Sequence, residues 1–92
     1  MNFYVYIIKR KITHTYYKGF SEKPLVRLQQ LNDGECTSTR NKLPWILIYL
    51  EVYASKREAL IREKVLKHYS HAQIEALIDS HRNFLPTFLS NV

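Results

Sequence analysis

Two tyrosines, an arginine and a glutamate form a set that could do chemistry in this chain: Tyr6, Tyr17, Arg27 and Glu63. Hydrolysis of a phosphodiester requires a water that loses a proton, neutralised charge on the phosphate oxygens and a stabilised leaving oxygen. A single divalent ion can do much of this, held by one carboxylate, the phosphate and waters. An arginine adds a bidentate, permanently charged donor. A phenol can orient the water, but with an ordinary pKa near ~10 it must be activated before it serves as a base. Each of the four also has a purely structural role open to it. Tyrosines in strands usually pack across to their neighbours. Arg27 can lie over the core with its head in water. Glu63 stands four residues before Lys67, the favourable order for a helix ion pair worth roughly 0.3–0.5 kcal/mol. Composition and spacing alone mark a basic α/β domain that binds phosphate.

The elements that must position these side chains can be read along the chain. Residues 2–9 and 15–20 are rich in Tyr, Val and Ile around a polar turn at residues 10–14, the pattern of a β-hairpin. Alternation puts Phe3, Val5 and Ile7 on one face and Tyr4, Tyr6 and Ile8 on the other. Thr15, Tyr17 and Gly19 also share a face; if it coincides with the Tyr4/Tyr6 face, several phenols crowd one side. A helix begins near Ser21-Glu22-Lys23-Pro24, with Ser21 as a cap and Pro24 in the first turn. Leu25, Leu28 and Leu31 or Asn32 follow at helical spacing, and Gly34 ends the helix in the left-handed region. The polar loop at residues 35–43 carries Arg40 and Lys42 among hydroxyls, which suits phosphate contacts as well as it suits an ordinary solvated loop. Pro44 opens a nearly continuous apolar strand, Trp45–Tyr53, expected to be central or buried on both faces.

Ser55-Lys56-Arg57-Glu58 is a capping box that starts a helix to about His68. Ala59, Glu63 and Leu66 share one face of it, with Leu60 beside them. A short helix follows from Ser70 to about Asp79, with Ile74, Leu77 and Ile78 inward. Residues 80–92 hold Phe84, Leu85, Phe88 and Leu89 and are expected to fold back on the core. His68 and His71, three apart, are a conceivable metal pair, but two ligands alone rarely hold zinc.

The bulk properties bound the function. The 92 residues suit one domain, here expected as a core over residues 3–78 and a tail over 79–92. Fourteen Lys plus Arg against eight Asp plus Glu give a net charge of +6, the footprint of a polyanionic partner. The single cysteine, Cys36, excludes an internal disulfide framework and a four-cysteine zinc site. No secretory leader is evident, and no apolar run approaches the roughly 20 residues of a membrane span. These features place the protein in a reducing cytoplasm.

Taken together, the residues resemble the GIY-YIG nuclease superfamily. The name-giving motifs correspond to Tyr4-Val5-Tyr6 and Tyr17-Lys18-Gly19, followed by Arg27-Leu28, the loop with Thr39 and Arg40, Pro44-Trp45, and the helix from Ser55 to Lys67. The pattern is most similar to the small stand-alone bacterial branch often described as resembling the GIY-YIG domain of the excision-repair endonuclease. The order and spacing of the motifs carry the resemblance, over roughly residues 3–78. It implies an α+β fold with a three-stranded antiparallel sheet, first strand central, flanked by helices. It implies a metal-dependent DNA endonuclease of repair or recombination, with Tyr6 and Tyr17 around the attacking water and Arg27 on the scissile phosphate. Glu63 would be the lone protein ligand of Mg²⁺ or Mn²⁺, and Gly19 would permit close backbone approach. Lys18, Arg40, Lys42 and Arg62 are the candidate nucleic-acid contacts.

The chain departs from the family pattern in three places. Leu31 stands where members carry a histidine, a loss worth about 10²–10⁴-fold if that histidine assists proton transfer. Lys18 replaces an apolar residue and is expected to face away from Tyr17 as an exposed charge. Tyr4 replaces the first glycine. The competing expectations are a nucleic-acid-binding module without catalysis, and an adaptor that docks on a repair protein. Binding to nucleic acid should fall steeply with salt, because counterion release drives it.

Overall fold

The computed structural model describes residues 1–13, 15–35 and 44–91. Three strands, β1 (Phe3–Arg10), β2 (Tyr16–Ser21) and β3 (Trp45–Tyr53), form an antiparallel sheet in the order β2-β1-β3. The central strand is the first, as the family resemblance implies. Four helices complete the described chain: α1 (Pro24–Asn32), α2 (Lys56–Leu66), α3 (His71–Ile78) and α4 (Leu85–Ser90). None is long and apolar enough to cross a membrane.

The alternation of β1 divides the core in two. Val5 and Ile7 point into one cluster with Tyr49, Ala59, Leu66 and Ile74, beneath α2 and α3. Tyr6 and Ile8 point into the other with Leu31, Trp45 and Leu50, beneath α1, and Phe84, Leu85 and Phe88 of the tail pack there too. The four residues Val5–Ile8 are all nearly inaccessible, so this one short strand anchors both halves of the core.

β3 is an edge strand and not the central one, but its apolar run packs on both faces of the sheet, the other half of the expectation. A bulge divides it between them. The pairing with β1 shifts between Ile7 and Ile8, where Ile7 faces Tyr49 and Ile8 faces Leu47, leaving Ile48 as an extra residue. A β-bulge of this kind reverses the alternation. Trp45 and Leu47 before it and Leu50 after it therefore pack on the α1 face, while Ile48 and Tyr49 pack on the α2 face. The outer side of β3 is covered at the bulge by the tail. Asn83 donates to the Ile48 carbonyl at 3.1 Å, and the Phe84 amide donates to the Leu50 carbonyl at 2.7 Å.

α1 is rotated from its expected setting. Pro24 and Leu31 are buried and Leu28 is partly so, whereas Leu25 turns outward, 38% exposed. Lys23 occupies the cap position, and the Ser21 hydroxyl accepts from its amide at 3.0 Å. Gly34, with φ 79°, follows the helix in the left-handed conformation that an L side chain resists. At α2 the cap works in one direction, with the Ser55 hydroxyl accepting from the Glu58 amide. The reciprocal capping box forms at α3, between Ser70 and Gln73.

Candidate active site

Antiparallel pairing sets Tyr6 opposite Gly19 and Ile8 opposite Tyr17, so Tyr4, Tyr6 and Tyr17 do share a face. They have different surroundings on it. Tyr4 meets Phe88 of α4 edge-on, with ring centroids 5.4 Å apart. Tyr17 tilts against Trp45 at 6.1 Å. Tyr6 crosses its partner strand: its ring lies over Gly19, in the space a side chain there would fill. Its hydroxyl shares a hydrogen bond with Arg27 of α1 and stands within electrostatic reach of Tyr17 and of Glu63 on α2. Tyr6 bonds to Arg27 and feels the charges of Tyr17 and Glu63 at longer range, and only a glycine at position 19 leaves room for its phenol there.

Burial pushes the Tyr6 phenol up from its ordinary value, and the hydrogen bond and charge of Arg27 pull it down without prevailing. Tyr6 is only 3% exposed and neutral at physiological pH. Such a group serves as a positioned hydrogen-bond partner; it is not a ready base. Glu63 is 17% exposed and sits 3.7 Å from the Lys67 ammonium, so the helix ion pair read from the sequence does form. The carboxylate nevertheless keeps lone pairs for a cation. One carboxylate with a substrate phosphate and waters fits the loose demands of Mg²⁺ or Mn²⁺. It does not fit a tightly held structural metal, and no cluster of three or more His, Cys, Asp or Glu occurs among the described residues. His71 packs edge-on against Tyr16.

Tyr17 is braced from behind. Asn32, the last residue of α1, accepts from the Trp45 amide at 2.7 Å and donates to the Trp45 carbonyl at 3.0 Å. That clamp ties the end of α1 to the start of β3, and Trp45 in turn backs the Tyr17 ring. Leu31 is fully buried in the same cluster as Tyr6 and Ile8. The position one turn after Arg27 thus faces the core beside Tyr6.

One of the expected nucleic-acid contacts needs correction. Arg62 does not face solvent. Its guanidinium lies against the buried Glu51 carboxylate on the opposite side of the sheet, with Nε 3.0 Å from one oxygen and Nη2 3.1 Å from the other. A helix residue next to Glu63 points some 100° away from it, and here that direction is the sheet. Lys18 faces away from Tyr17 as expected but is partly covered, and the loss of water lowers its pKa. Arg40 and Lys42 lie outside the described residues.

Glu51 belongs to none of the motifs that the sequence displays. It accepts from Tyr53 at 2.5 Å, from Tyr49, and from Arg62, with Arg82 of the tail 3.8 Å away. The available signal was period two in β3, which puts a lone carboxylate between two phenols on one face. Burial alone would raise the Glu51 carboxyl, but its hydrogen bonds from Arg62, Tyr49 and Tyr53 hold it below the ordinary range. The same cluster, burial first, pushes the Tyr53 phenol up to about 12.

Residues 2–75 match the GIY-YIG catalytic domain, and the chain belongs to that family of nuclease domains. Within it, the chain is similar to the UPF0213 proteins. It is 34% identical over 88 residues to one from Streptococcus pneumoniae, covering 92% of this chain and 88% of that one. A UPF0213 protein of Staphylococcus haemolyticus is 34% identical over 77 residues, covering 83% and 93%. The solution NMR structure of a UPF0213 protein from Bacillus halodurans superposes with a TM-score of 0.56 at 30% identity, covering 89% of this chain and 87% of that one.

Proposed function

We propose that this protein is a divalent-metal-dependent endonuclease that hydrolyses phosphodiester bonds in DNA, with branched or damaged DNA as the substrate and the cytoplasm as its place of work. One observation carries the reading: Tyr6 bonds to Arg27 and stands within electrostatic range of both Tyr17 and Glu63, although the four come from four different elements and up to 57 residues of sequence separate them. Arg27 binds the scissile phosphate through its guanidinium. Tyr6, neutral and accepting from Arg27, keeps its own O–H to orient the attacking water or a phosphate oxygen. Tyr17, less buried and braced by Trp45, flanks the same water. Glu63 holds the one metal ion, Mg²⁺ or Mn²⁺, which when bound supplies charge neutralisation at the phosphate.

A second reading, a DNA-binding module without catalysis, is favoured by the pairing of Glu63 with Lys67, which sets a competing cation beside the carboxylate. The two are separated by a nicking assay on supercoiled and branched DNA with Mg²⁺ or Mn²⁺, comparing wild type with Glu63→Ala. Metal-dependent nicking that disappears in Glu63→Ala supports the nuclease. DNA binding by both proteins with nicking by neither supports the binding module.

A further inference from the structure

A groove of about 330 Å³ runs from Arg27 along the outer face of α1, lined by Ser21, Glu22, Lys23, Val26, Arg27 and Gln30. It holds no part in the tyrosine–arginine–glutamate cluster except Arg27, which belongs to both. The helix spacing gives the groove an internal order. Lys23, the N-cap, and Arg27, whose amide donates to the Lys23 carbonyl at 2.9 Å, line one ridge; Val26 and Gln30, four apart in the helix, form the next. The first ridge carries two cations. The second carries an apolar surface, with Val26 52% exposed, and a carboxamide. Glu22 at the rim cancels one positive charge, so this is no general polycationic strip. Pro24, buried at the helix start, fixes the backbone beneath.

We infer that this groove is a subsite for the single nucleotide that flanks the scissile phosphate. The inference rests on the assignment of Arg27 to that phosphate. With Arg27 there, Lys23, which lines the same groove at the helix start, meets the next phosphate along the strand. The sugar and base then lie across the second ridge. Val26 offers an apolar surface to the base, and Gln30 offers both a donor and an acceptor to its edge, the pairing by which glutamine reads adenine. A paired base is read by side chains inserted into the major groove, whereas a cleft that takes sugar and base across its floor needs the nucleotide out of the stack. The base taken here is therefore unpaired, as at a branch, a flap or a lesion. The volume falls at the small end of ligand sites, about 300–1,000 Å³.

The test is a cycle on base and groove. Binding is measured by fluorescence anisotropy in EDTA, on branched DNA with the junction-flanking nucleotides made abasic one at a time. Wild type is compared with Gln30→Ala and with Val26→Ser/Gln30→Ala, both at positions on the outer side of α1 that leave the core intact. At one flanking position, removing the base should weaken wild-type binding roughly tenfold, and should cost the double variant almost nothing. Equal losses for wild type and variant at every position would overturn the subsite, whether or not the protein nicks DNA. Non-additive losses without any metal-dependent nicking would keep the subsite and remove the nuclease assignment.

Discussion

A Cβ on residue 19 would overlap both the Tyr6 hydroxyl oxygen and the ring carbon that bears it. Gly19 and the Tyr6 phenol are therefore a matched pair, each requiring the other's shape. Gly19→Ala should cost about 1–3 kcal/mol, the usual range for overpacking, and should move the phenol off Arg27. The expected outcome is a folded protein with a lower Tm whose nicking rate falls at least as far as that of Tyr6→Phe. A Gly19→Ala protein with wild-type activity would show that the reach of Tyr6 to Arg27 is not needed.

Tyr6→Phe keeps the buried ring and removes the hydroxyl that bonds to Arg27. Losing a donor aimed at developing charge costs about 10²–10³ in kcat. The change should appear in kcat with KM nearly unchanged and with thermal stability close to wild type. A rise in KM alone would instead assign Tyr6 to ground-state binding.

The Glu51 carboxyl is depressed in the folded protein, which sets the sign of its pH dependence. Its stabilisation is present above the unfolded value of about 4.3 and is lost as the pH falls through the lower folded value. Acid titration followed by circular dichroism should show this as part of the acid unfolding limb. Glu51→Gln should flatten that part and, by leaving the 15%-exposed Arg62 without its anion, cost about 3–5 kcal/mol at pH 7. Glu51→Gln/Arg62→Met should recover much of the loss. Arg62→Ala should show its effect in Tm first. If it lowered DNA affinity with Tm unchanged, the buried pairing would not describe the protein in solution.

Asn32→Ala removes both bonds to the Trp45 backbone and should cost about 1–3 kcal/mol. Trp45 is the single tryptophan, so its emission reports the site directly. At 3% exposure it should emit to the blue in wild type and shift red in the variant below its Tm. An unchanged spectrum would mean that Tyr17 and the core hold Trp45 without the clamp.

Leu31→His would bury an imidazole among Tyr6, Ile8 and Leu50. The expected result is a less stable protein, by about 1–3 kcal/mol for an unpaired polar group, with no gain in nicking. A gain would show that the core opens here during turnover.

Much of the sheet and its helices is legible in the sequence because the local signals agree with one another. β1 and β2 alternate cleanly, β3 spans Trp45–Tyr53 as read, and Ser55 and Ser70 mark their helices. Alternation puts Tyr6 with Tyr4 and Tyr17 with Gly19, family likeness supplies the roles of Arg27 and Glu63, and the hairpin register makes the two tyrosine faces coincide. What escapes is long-range. The bulge at Ile48 depends on pairing with β1, which no local pattern records. The direction of Arg62 depends on where the sheet lies beneath α2, and charge in the sequence says nothing of that. Leu25 points outward, against its helical spacing, because Pro24, usually a mere helix opener, takes the buried position itself.

The bulge also fixes how this protein can change in length. Every side chain of β3 before Ile48 owes its direction to one surplus residue. Deleting Ile48 would shift the reading frame of the strand against its partner, turning Trp45 and Leu47 from the α1 side to the α2 side, with Asn32 left facing the wrong backbone. The four-residue stretch from Trp45 to Ile48 is thus a segment in which substitutions are graded events but insertions and deletions are all-or-none. Genetic drift across relatives should be rich in exchanges there and empty of gaps.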